Sequence, residues 1–279
     1  MLNINFEGNV RFFTLMNFAI QNNIDIFELL HAAFHKNALI TEDTTLLFNF
    51  IESISDKSKF IKSQLLQDAF AAFIVGDLYE KTFLEFGATD GISLSNSFML
   101  ESNFGWNGVL AEPSPQWHEK LTNNRPKTRI IKECIWKTSG EKLDFFVSEV
   151  GVLSTLVDFK NSDHSSMPDN TEARIKNGEV VEVETISINE VMKSYFNGHS
   201  PSYVSIDTEG SEFEILKSLD FDKYRPIVFS IEHNFTNLQN KIDKLMVSKG
   251  YVRVFKDLTS FDGWYVLDSA LTNRGLKYE

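Results

Sequence analysis

Acidic side chains recur where hydrophobic runs of this sequence end, at positions where they could bind a ligand or move a proton. The run from Thr82 to Phe86 contains Glu85 and opens into the turn Gly87-Ala-Thr-Asp-Gly91. Roughly twenty residues later a second run ends at Glu112. Glycines at a strand end let the chain turn sharply and let a ligand approach the backbone, and an acid after the next strand is the expected partner of a ribose diol. The pattern therefore predicts a nucleotide-type pocket.

The composition of the turn limits the classes of ligand that it could bind. The turn contains no lysine, and its Gly-x-x-x-Gly spacing differs from the Gly-x-Gly-x-x-Gly of dinucleotide sites. Phosphate groups favour the positive end of a helix, and sites for them are rarely so acidic. Carboxylates at the first two strand ends suit a ligand that carries an ammonium group and a ribose diol. S-adenosylmethionine has both, together with a sulfonium cation that acids attract. The residues at the first two strand ends that could line such a site are Glu85, Gly87, Asp90, Gly91 and Glu112.

Polar residues also follow three later runs. Glu133 and Cys134 follow the third run, Asp207-Thr-Glu-Gly-Ser-Glu212 ends the fourth, and Glu232-His-Asn234 ends the fifth. Ligands of open α/β sheets bind beyond the carboxyl ends of the strands, so these residues are candidates for one site. Glu212 stands at a helix start, where a carboxylate also stabilises the helix dipole. We therefore interpret Glu212 as structural and keep Glu209 as a candidate for the site.

The elements that would position these residues alternate between strand and helix from Lys81 onwards. Predicted strands are Thr82–Phe86, Gly108–Glu112, Thr128–Lys132, Tyr203–Asp207 and Ile227–Glu232. Predicted helices are Leu94–Ser102, Pro115–Asn123, Ile188–Tyr195, Glu212–Ser218 and Leu238–Ser248. Such alternation favours an α/β fold with a doubly wound, mostly parallel, Rossmann-like sheet. A final hairpin, Tyr251–Phe255 with Gly263–Leu267, would add an antiparallel edge strand.

Two segments interrupt the alternation. Leu143–Val147 alternates weakly and is expected to pair near Ile135, ahead of a Val180–Ile186 strand. The polar stretch from Asp158 to Gly178 is expected to be a loop, either a substrate lid or plain disorder. Residues 1–78 show helical spacing throughout, for example at Leu46, Leu47, Phe50, Ile51 and Ile54. We predict a helical segment at 1–78 that either caps or covers a domain at 79–279 or forms a homo-oligomer through its helices.

The whole chain limits the classes of partner. Its 279 residues carry a net charge of −12, which disfavours nucleic acid as the main partner. The single cysteine excludes an intrachain disulfide and fits the cytoplasm. No apolar run approaches the length of a membrane span, and the N-terminus lacks the pattern of a secretory signal.

Five stretches of the sequence carry a resemblance to a known family. They are Ser63–Asp68, Phe83–Gly91, Val109–Pro113, Val204–Glu212 and Ile231–Asn234. Together they resemble the FkbM-type family of S-adenosylmethionine-dependent methyltransferases, over roughly residues 62 to 268, and the Ile-Asp-x-Glu-Gly-x-Glu block is the most specific of them.

The resemblance implies a seven-stranded class I methyltransferase fold and O-methylation of sugars or similar small hydroxylated molecules. It also implies that Glu85, Gly87 and Asp90 hold the methionine end of the cofactor. Glu112 would take the ribose hydroxyls, and Glu133 or Cys134 would lie by the adenine. Asp207 would lie beside the methyl group and the acceptor. Glu85 stands where the family commonly has aspartate.

A hydroxyl acceptor needs help to react, because a sugar hydroxyl is a poor nucleophile near pH 7. Asp207, Glu209, Glu232 and His233 have side chains that could supply it. In one arrangement Asp207 and Glu232 bind Mg²⁺ or another divalent cation and His233 is the general base. In the other, a carboxylate network holds the acceptor hydroxyls directly and His233 is a core residue.

Three further functions stay open from the sequence. The acceptor could be a polyketide, a lipid or a protein side chain. The fold could also have lost its activity and serve as a binding partner, or it could bind a nicotinamide cofactor. The acids retained after the fourth and fifth strands favour an enzyme, because an inactive fold has no need of them.

Overall fold

The structure is a computed structural model that describes residues 44–54, 59–162, 168–256 and 259–276. Within these ranges it contains eleven strands. They are β1 (Thr82–Phe86), β2 (Asn107–Ala111), β3 (Arg129–Ile131), β4 (Cys134–Trp136), β5 (Lys142–Val147), β6 (Thr155–Leu156), β7 (Glu179–Ser187), β8 (Tyr203–Ile206), β9 (Val228–Glu232), β10 (Tyr251–Val254) and β11 (Asp262–Leu267).

Seven of the strands form the main sheet, in the order β10–β11–β9–β8–β1–β2–β3. Neighbours from β3 to β9 are parallel, and β11 is antiparallel to both β9 and β10. The predicted α/β fold with a doubly wound, mostly parallel sheet and a final antiparallel hairpin is confirmed. Of the two hairpin strands, β10 forms the edge of the sheet and pairs antiparallel with β11, which lies between β10 and β9.

A smaller sheet has the order β4–β7–β5–β6. Leu143–Val147 therefore does not pair with the segment near Ile135 as predicted, since β7 lies between β5 and β4 and pairs with both. The expectation of a loop throughout 158–178 is also wrong. Residues 168–175 of that stretch form a helix, and residues 163–167 lie outside the described ranges.

Nine α-helices are described in the same ranges. They are α1 (Thr44–Ile54), α2 (Gln67–Val75), α3 (Phe98–Phe104), α4 (His118–Asn124), α5 (Pro168–Ile175), α6 (Ile188–Tyr195), α7 (Glu212–Ser218), α8 (Leu238–Ser248) and α9 (Asp268–Asn273). The helix predicted from Leu94 begins only at Phe98, because the residues before it form a polar turn described below. Among the described helices none combines the length and the apolar character that a membrane crossing requires.

Hydrophobic side chains cover both faces of the main sheet, as expected for parallel strands. On one face α1 and α2 share a core with the sheet, where the ring of Phe70 stacks on Trp264 at 4.6 Å and Phe50 packs edge-on against the same indole. Residues 1–43 lie outside the described ranges, so the division at residue 78 and the homo-oligomer stay predictions.

Candidate active site

A cavity of about 210 Å³ opens at the carboxyl ends of the central strands. Seven of the residues predicted for the site line it, namely Glu85, Gly87, Glu112, Cys134, Asp207, Glu209 and Glu232. They come from β1, β2, β4, β8 and β9 or from the turns that follow these strands. Parallel neighbours end at the same edge of a sheet, which is why residues so distant in sequence meet here.

Glu85 organises the turn that follows β1. One carboxylate oxygen accepts a hydrogen bond from the backbone N–H of Asn96 at 2.7 Å. The other accepts bonds from the hydroxyls of Ser95, at 3.0 Å, and Ser97. Burial raises the pKa of Glu85, while the nearby Arg125 guanidinium acts in the opposite direction. Both oxygens of Glu85 therefore accept hydrogen bonds from other residues of the chain.

Arg125 supports the glycine turn, a role that sequence reasoning missed. Its side chain is 2% exposed. It donates to the carbonyl of Gly91 at 3.0 Å, to the Ser97 hydroxyl at 3.2 Å, and forms an ion pair with Glu101. These contacts tie the glycine turn to the end of α4. No spacing in the sequence marks an arginine at a helix end as the partner of a turn 34 residues away.

Glu112 connects the glycine turn to the end of β2. Its carboxylate accepts hydrogen bonds from the backbone N–H groups of Thr89 and Ser114, each at 2.8 Å. Burial, together with the nearby Asp207 carboxylate, raises the pKa of Glu112 to about 7. The residue lies where a ribose diol is predicted to bind, at the end of the strand next to β1.

Asp90 and Gly91 do not line the cavity, although both are predicted to bind cofactor. The Asp90 carboxylate accepts bonds from the backbone N–H groups of Ile92 at 2.9 Å and Ser93 at 2.7 Å. Partial burial raises the pKa of Asp90, but the hydrogen bonds together lower it by more, so the pKa is lowered overall. At Gly91 a Cβ would lie 2.6 Å from a Leu121 methyl group. Both residues thus stabilise the conformation of the turn without lining the cavity.

Of the two candidates at the end of the third predicted strand, only one lines the cavity. Cys134 lines the cavity, and burial raises the pKa of its thiol to about 12, which leaves it a packing residue rather than a nucleophile at neutral pH. Glu133 is absent from the cavity wall, and its carboxylate accepts a bond from the Lys132 backbone N–H at 3.2 Å. Of the two, Cys134 has the position predicted for an adenine contact.

Asp207, Glu209 and Glu232 form a carboxylate cluster in which one oxygen of each lies within 4.8 Å of the others. Asp207 and Glu232 share a hydrogen bond, and desolvation together with the Glu212 carboxylate raises the pKa of Asp207 to about 7. Burial and Asp207 raise the pKa of Glu232 well above its ordinary value. The second oxygen of Glu232 is buried and has no hydrogen-bond partner among the described residues. Three hard oxygen donors with an unpartnered buried oxygen fit a divalent cation.

Residues of α5 and of the small sheet bond directly to the turn that carries Glu209. Arg174 of α5, whose side chain is fully buried, donates to a Glu209 carboxylate oxygen at 2.5 Å and to the Leu153 carbonyl at 2.8 Å. The Thr155 hydroxyl donates to the carbonyls of Thr208 and Glu209 at 3.1 and 3.0 Å. The segment predicted to be a loop is therefore docked on the turn after β8.

Glu212 is structural, as interpreted from the sequence. A single carboxylate oxygen accepts bonds from the backbone N–H groups of Thr208 at 3.0 Å and Gly210 at 2.9 Å. These bonds hold the turn in which Glu209 takes a φ of 58°, a conformation that few residues other than glycine adopt.

His233 is not among the residues that line the cavity, so its position does not support the general base role predicted for it. Its Nδ1 accepts a bond from the Phe235 backbone N–H at 3.1 Å, and Nε2 lies 3.1 Å from the Arg253 guanidinium. Burial and Arg253 lower the pKa of His233 to about 4. A base must reach the proton that it removes, and both ring nitrogens of His233 face other groups of the chain.

The Ser63–Asp68 segment, quoted above only for its resemblance, lies beside the same strand ends. Ser63 forms a parallel bridge with Leu94, and Gln64 lines the cavity. The Gln67 amide donates to the Asp262 carboxylate at 2.8 Å, and Asp262 lies opposite Glu232 in the sheet register. The segment before β1 therefore closes one side of the cavity.

A family model described as Methyltransferase FkbM domain matches residues 85–253, which is more than half of the chain. The chain belongs to the FkbM methyltransferase family. It therefore contains a methyltransferase domain, the main sheet is the class I methyltransferase sheet, and the family supports S-adenosylmethionine as the methyl donor. The resemblance predicted from the sequence is confirmed.

Solved structures similar to this methyltransferase include methyltransferase FkbM from Methylobacillus flagellatus KT, with 12% identity and a TM-score of 0.40. That likeness covers 78% of this chain and 59% of the other, so the methyltransferase spans less than two thirds of that chain. An O-methyltransferase from Bacillus cereus in complex with SAH has 14% identity and a TM-score of 0.37, with 82% and 94% of the chains covered. Likenesses this distant carry no argument about the acceptor. No curated protein matches the methyltransferase.

The buried carboxyls make the stability of this methyltransferase depend on pH. Burial raises the pKa of Asp68 to about 6 and those of Glu112 and Asp262 to about 7. Folding therefore raises the proton affinity of each group. The contribution of each group to the free energy of unfolding is complete below its ordinary pKa of about 4 and is lost as the pH rises towards 7. Without ligands, the free energy of unfolding is expected to fall between about pH 4 and about pH 7, by up to about 1.4 kcal/mol per group and pH unit, and the melting temperature should fall with it.

Thermal unfolding across this range, in EDTA, tests the prediction. Glu112→Gln removes one of the titrating groups and should flatten the curve, whereas Asp144→Asn removes an exposed carboxylate from β5 and should not. A melting temperature that rises with pH would contradict the assignment.

Proposed function

We propose that this methyltransferase transfers the methyl group of S-adenosylmethionine to a hydroxyl of a sugar or glycan-like small molecule. The observation that carries the proposal is the carboxylate cluster of Asp207, Glu209 and Glu232 on the cavity wall next to the glycine turn. Sugars present several hydroxyls close together, and carboxylates are suited to accept hydrogen bonds from them.

The cavity also suits the cofactor. Gly87 adopts a φ of 71°, and a Cβ there would lie 2.2 Å from the Asp207 carbonyl oxygen, so the turn and β8 meet without an intervening side chain. Glu112 supplies the carboxylate for a ribose diol on one side of this contact. When bound, S-adenosylmethionine supplies an activated methyl group and departs as a neutral thioether.

The protein's part in the reaction is alignment and removal of one proton. The acceptor oxygen, the methyl carbon and the sulfur must lie in line, which a cavity enclosed by the glycine turn and the small sheet can enforce. As the new C–O bond forms and the C–S bond breaks, the hydroxyl proton must pass to a base. Asp207 is the candidate, because a carboxylate whose pKa is about 7 binds a proton more readily than an ordinary one.

A divalent cation is compatible with the same cluster. Asp207, Glu209 and Glu232 would hold it, and the unpartnered oxygen of Glu232 would gain a partner. The cation would act as a Lewis acid that lowers the pKa of a bound hydroxyl. Arg174 already neutralises part of the charge of Glu209, so Asp207 and Glu232 would be the principal ligands.

One observation favours a second class of acceptor. Leu94 and Val152 line the cavity and are 47% and 42% exposed, so apolar side chains stand at its mouth. A polyketide or lipid that bears a hydroxyl would cover these side chains, whereas a free sugar would leave them in water. The acceptor panel described below therefore includes both classes.

Two measurements test the proposed function. Calorimetric titration with S-adenosylhomocysteine is expected to show one site per chain, and absence of binding would overturn the proposal. Transfer of a radiolabelled methyl group to a panel of sugars, hydroxylated lipids and polyketides would then identify the acceptor. Labelling of sugars alone supports the first class, and labelling of lipids or polyketides alone supports the second.

Removal of metal separates the two arrangements of the carboxylate cluster. If a cation is required, dialysis against EDTA should reduce methyl transfer by about 10²-fold or more, and Mg²⁺ or Mn²⁺ should restore it. S-adenosylhomocysteine binding should change little, since Glu112 and the glycine turn lie outside the cluster. Full activity in EDTA would leave Asp207 and Glu232 as a metal-free carboxyl pair.

A further inference from the structure

The amide of Asn96 stands at the cavity wall with one polar atom unused. Asn96 is 7% exposed and lines the cavity. Its backbone N–H donates to Glu85 at 2.7 Å, and its side-chain Nδ2 donates to the hydroxyl of Ser205 in β8 at 2.9 Å. Its Oδ1 is buried and has no hydrogen-bond partner among the residues that the structure describes. A buried acceptor left without a donor is costly, so such an atom on a residue that lines a ligand cavity points to a ligand that donates.

A chain of hydroxyls contacts the NH₂ end of this amide. Tyr203 and Ser230 are hydrogen-bonded at 2.7 Å, and Ser230 donates to Ser205 at 3.3 Å. Ser205 also accepts the bond from Asn96, so its oxygen receives two hydrogens and holds the NH₂ end of the amide towards β8. The carbonyl end is thereby the one presented without a partner.

The position of Asn96 in the sheet order indicates which donor it meets. Glu112 follows β2, on one side of β1, whereas Asn96 is bonded to β8 on the other side. A cofactor whose ribose binds at Glu112 would therefore extend its amino-acid tail towards Asn96. The donor that this tail carries is an ammonium group, and both oxygens of Glu85 already accept hydrogen bonds from Asn96, Ser95 and Ser97.

We infer that Asn96 Oδ1 accepts a hydrogen bond from the amino group of the cofactor, while Glu85 acts one step behind it by holding the Ser95–Ser97 turn. The inference rests on the proposed use of S-adenosylmethionine and changes the role predicted for Glu85. Asn96 is the binding residue and Glu85 is the positioning residue. The selectivity of the site for a ligand with an α-amino group then depends on a neutral side chain.

Three ligands isolate this contact in calorimetric titrations. They are S-adenosylhomocysteine, its analogue that lacks only the α-amino group, and 5′-methylthioadenosine, which lacks the whole tail. In the wild-type methyltransferase the first should bind more tightly than the second. Asn96→Ala should weaken S-adenosylhomocysteine binding by about 10- to 100-fold, the range for a hydrogen bond to a charged group. It should also abolish the preference between the first two ligands and leave 5′-methylthioadenosine unchanged.

Asn96→Asp is the second variant, because it keeps an oxygen at the same position if the alanine variant does not fold. It should retain the preference for the ligand with an amino group. An undiminished preference in Asn96→Ala, or equal losses for S-adenosylhomocysteine and 5′-methylthioadenosine, would overturn the inference. Failure of the wild type to bind any of the three ligands would instead contradict the proposed function.

Discussion

Asp207→Asn is expected to reduce methyl transfer by about 10²- to 10⁴-fold while S-adenosylhomocysteine binding changes less than about fivefold. Asp207 follows β8 on the cavity wall, where its carboxylate is bonded to Glu232 and lies in the cluster with Glu209. Asparagine has nearly the same shape but cannot accept the hydroxyl proton, and it is a weaker ligand for a hard cation. Both arrangements of the cluster therefore predict the loss. The measurement is the rate of label transfer to the acceptor found in the panel.

Stability gives a separate measure of the same substitution. Asp207 and Glu232 repel one another when both are ionised. The Asp207 charge also repels the carboxylates of Glu112 and Asp262. The neutral amide removes that repulsion, so the ligand-free variant should be at least as stable as the wild type above pH 7. Asp144→Asn, which removes an exposed carboxylate from the small sheet, should change neither transfer nor stability. Transfer within tenfold of the wild type would exclude Asp207 from the chemistry.

The positions of the central acids could be predicted because they depend on local pattern and one rule of sheet topology. Hydrophobic runs mark the strands, and parallel strands end at one edge, so Glu85, Glu112, Asp207 and Glu232 had to lie near each other. The rule gives the end of a strand but not the direction of each side chain beyond it. The rule therefore could not predict that His233, one residue after Glu232, turns away from the cavity towards Arg253.

The small sheet and its arginine could not be predicted in the same way. Its strands β4 and β7 are separated by more than forty residues, and periodicity does not determine which strands pair at such separations. Arg174 lies in a polar stretch typical of a surface, yet its guanidinium is fully buried against Glu209. Asn96 and Arg125 were missed for a related reason, since their importance lies in partners that become neighbours only after folding.

Gly87→Ala is expected to cost about 3 kcal/mol or more in the free energy of unfolding and to weaken S-adenosylhomocysteine binding by at least about tenfold. Two effects add at this residue. Its φ of 71° is unfavourable for alanine, and the new Cβ would lie 2.2 Å from the Asp207 carbonyl oxygen. A backbone oxygen cannot rotate aside, so β1 and β8 would have to separate at the edge where the cavity opens. Urea unfolding and calorimetry measure the two losses.

Gly105→Ala is the matched control, because Gly105 has a φ of 67° but a Cβ added there would meet no atom within 4 Å. It should show only the conformational cost, about 1 kcal/mol, with cofactor affinity intact. The difference between the two variants measures the close approach of the glycine turn to β8. Equal losses would mean that this approach is not required. A larger loss at Gly87 would show that one contact sets the distance between the turn and Asp207, and hence between the cofactor and the carboxylates that act on the acceptor.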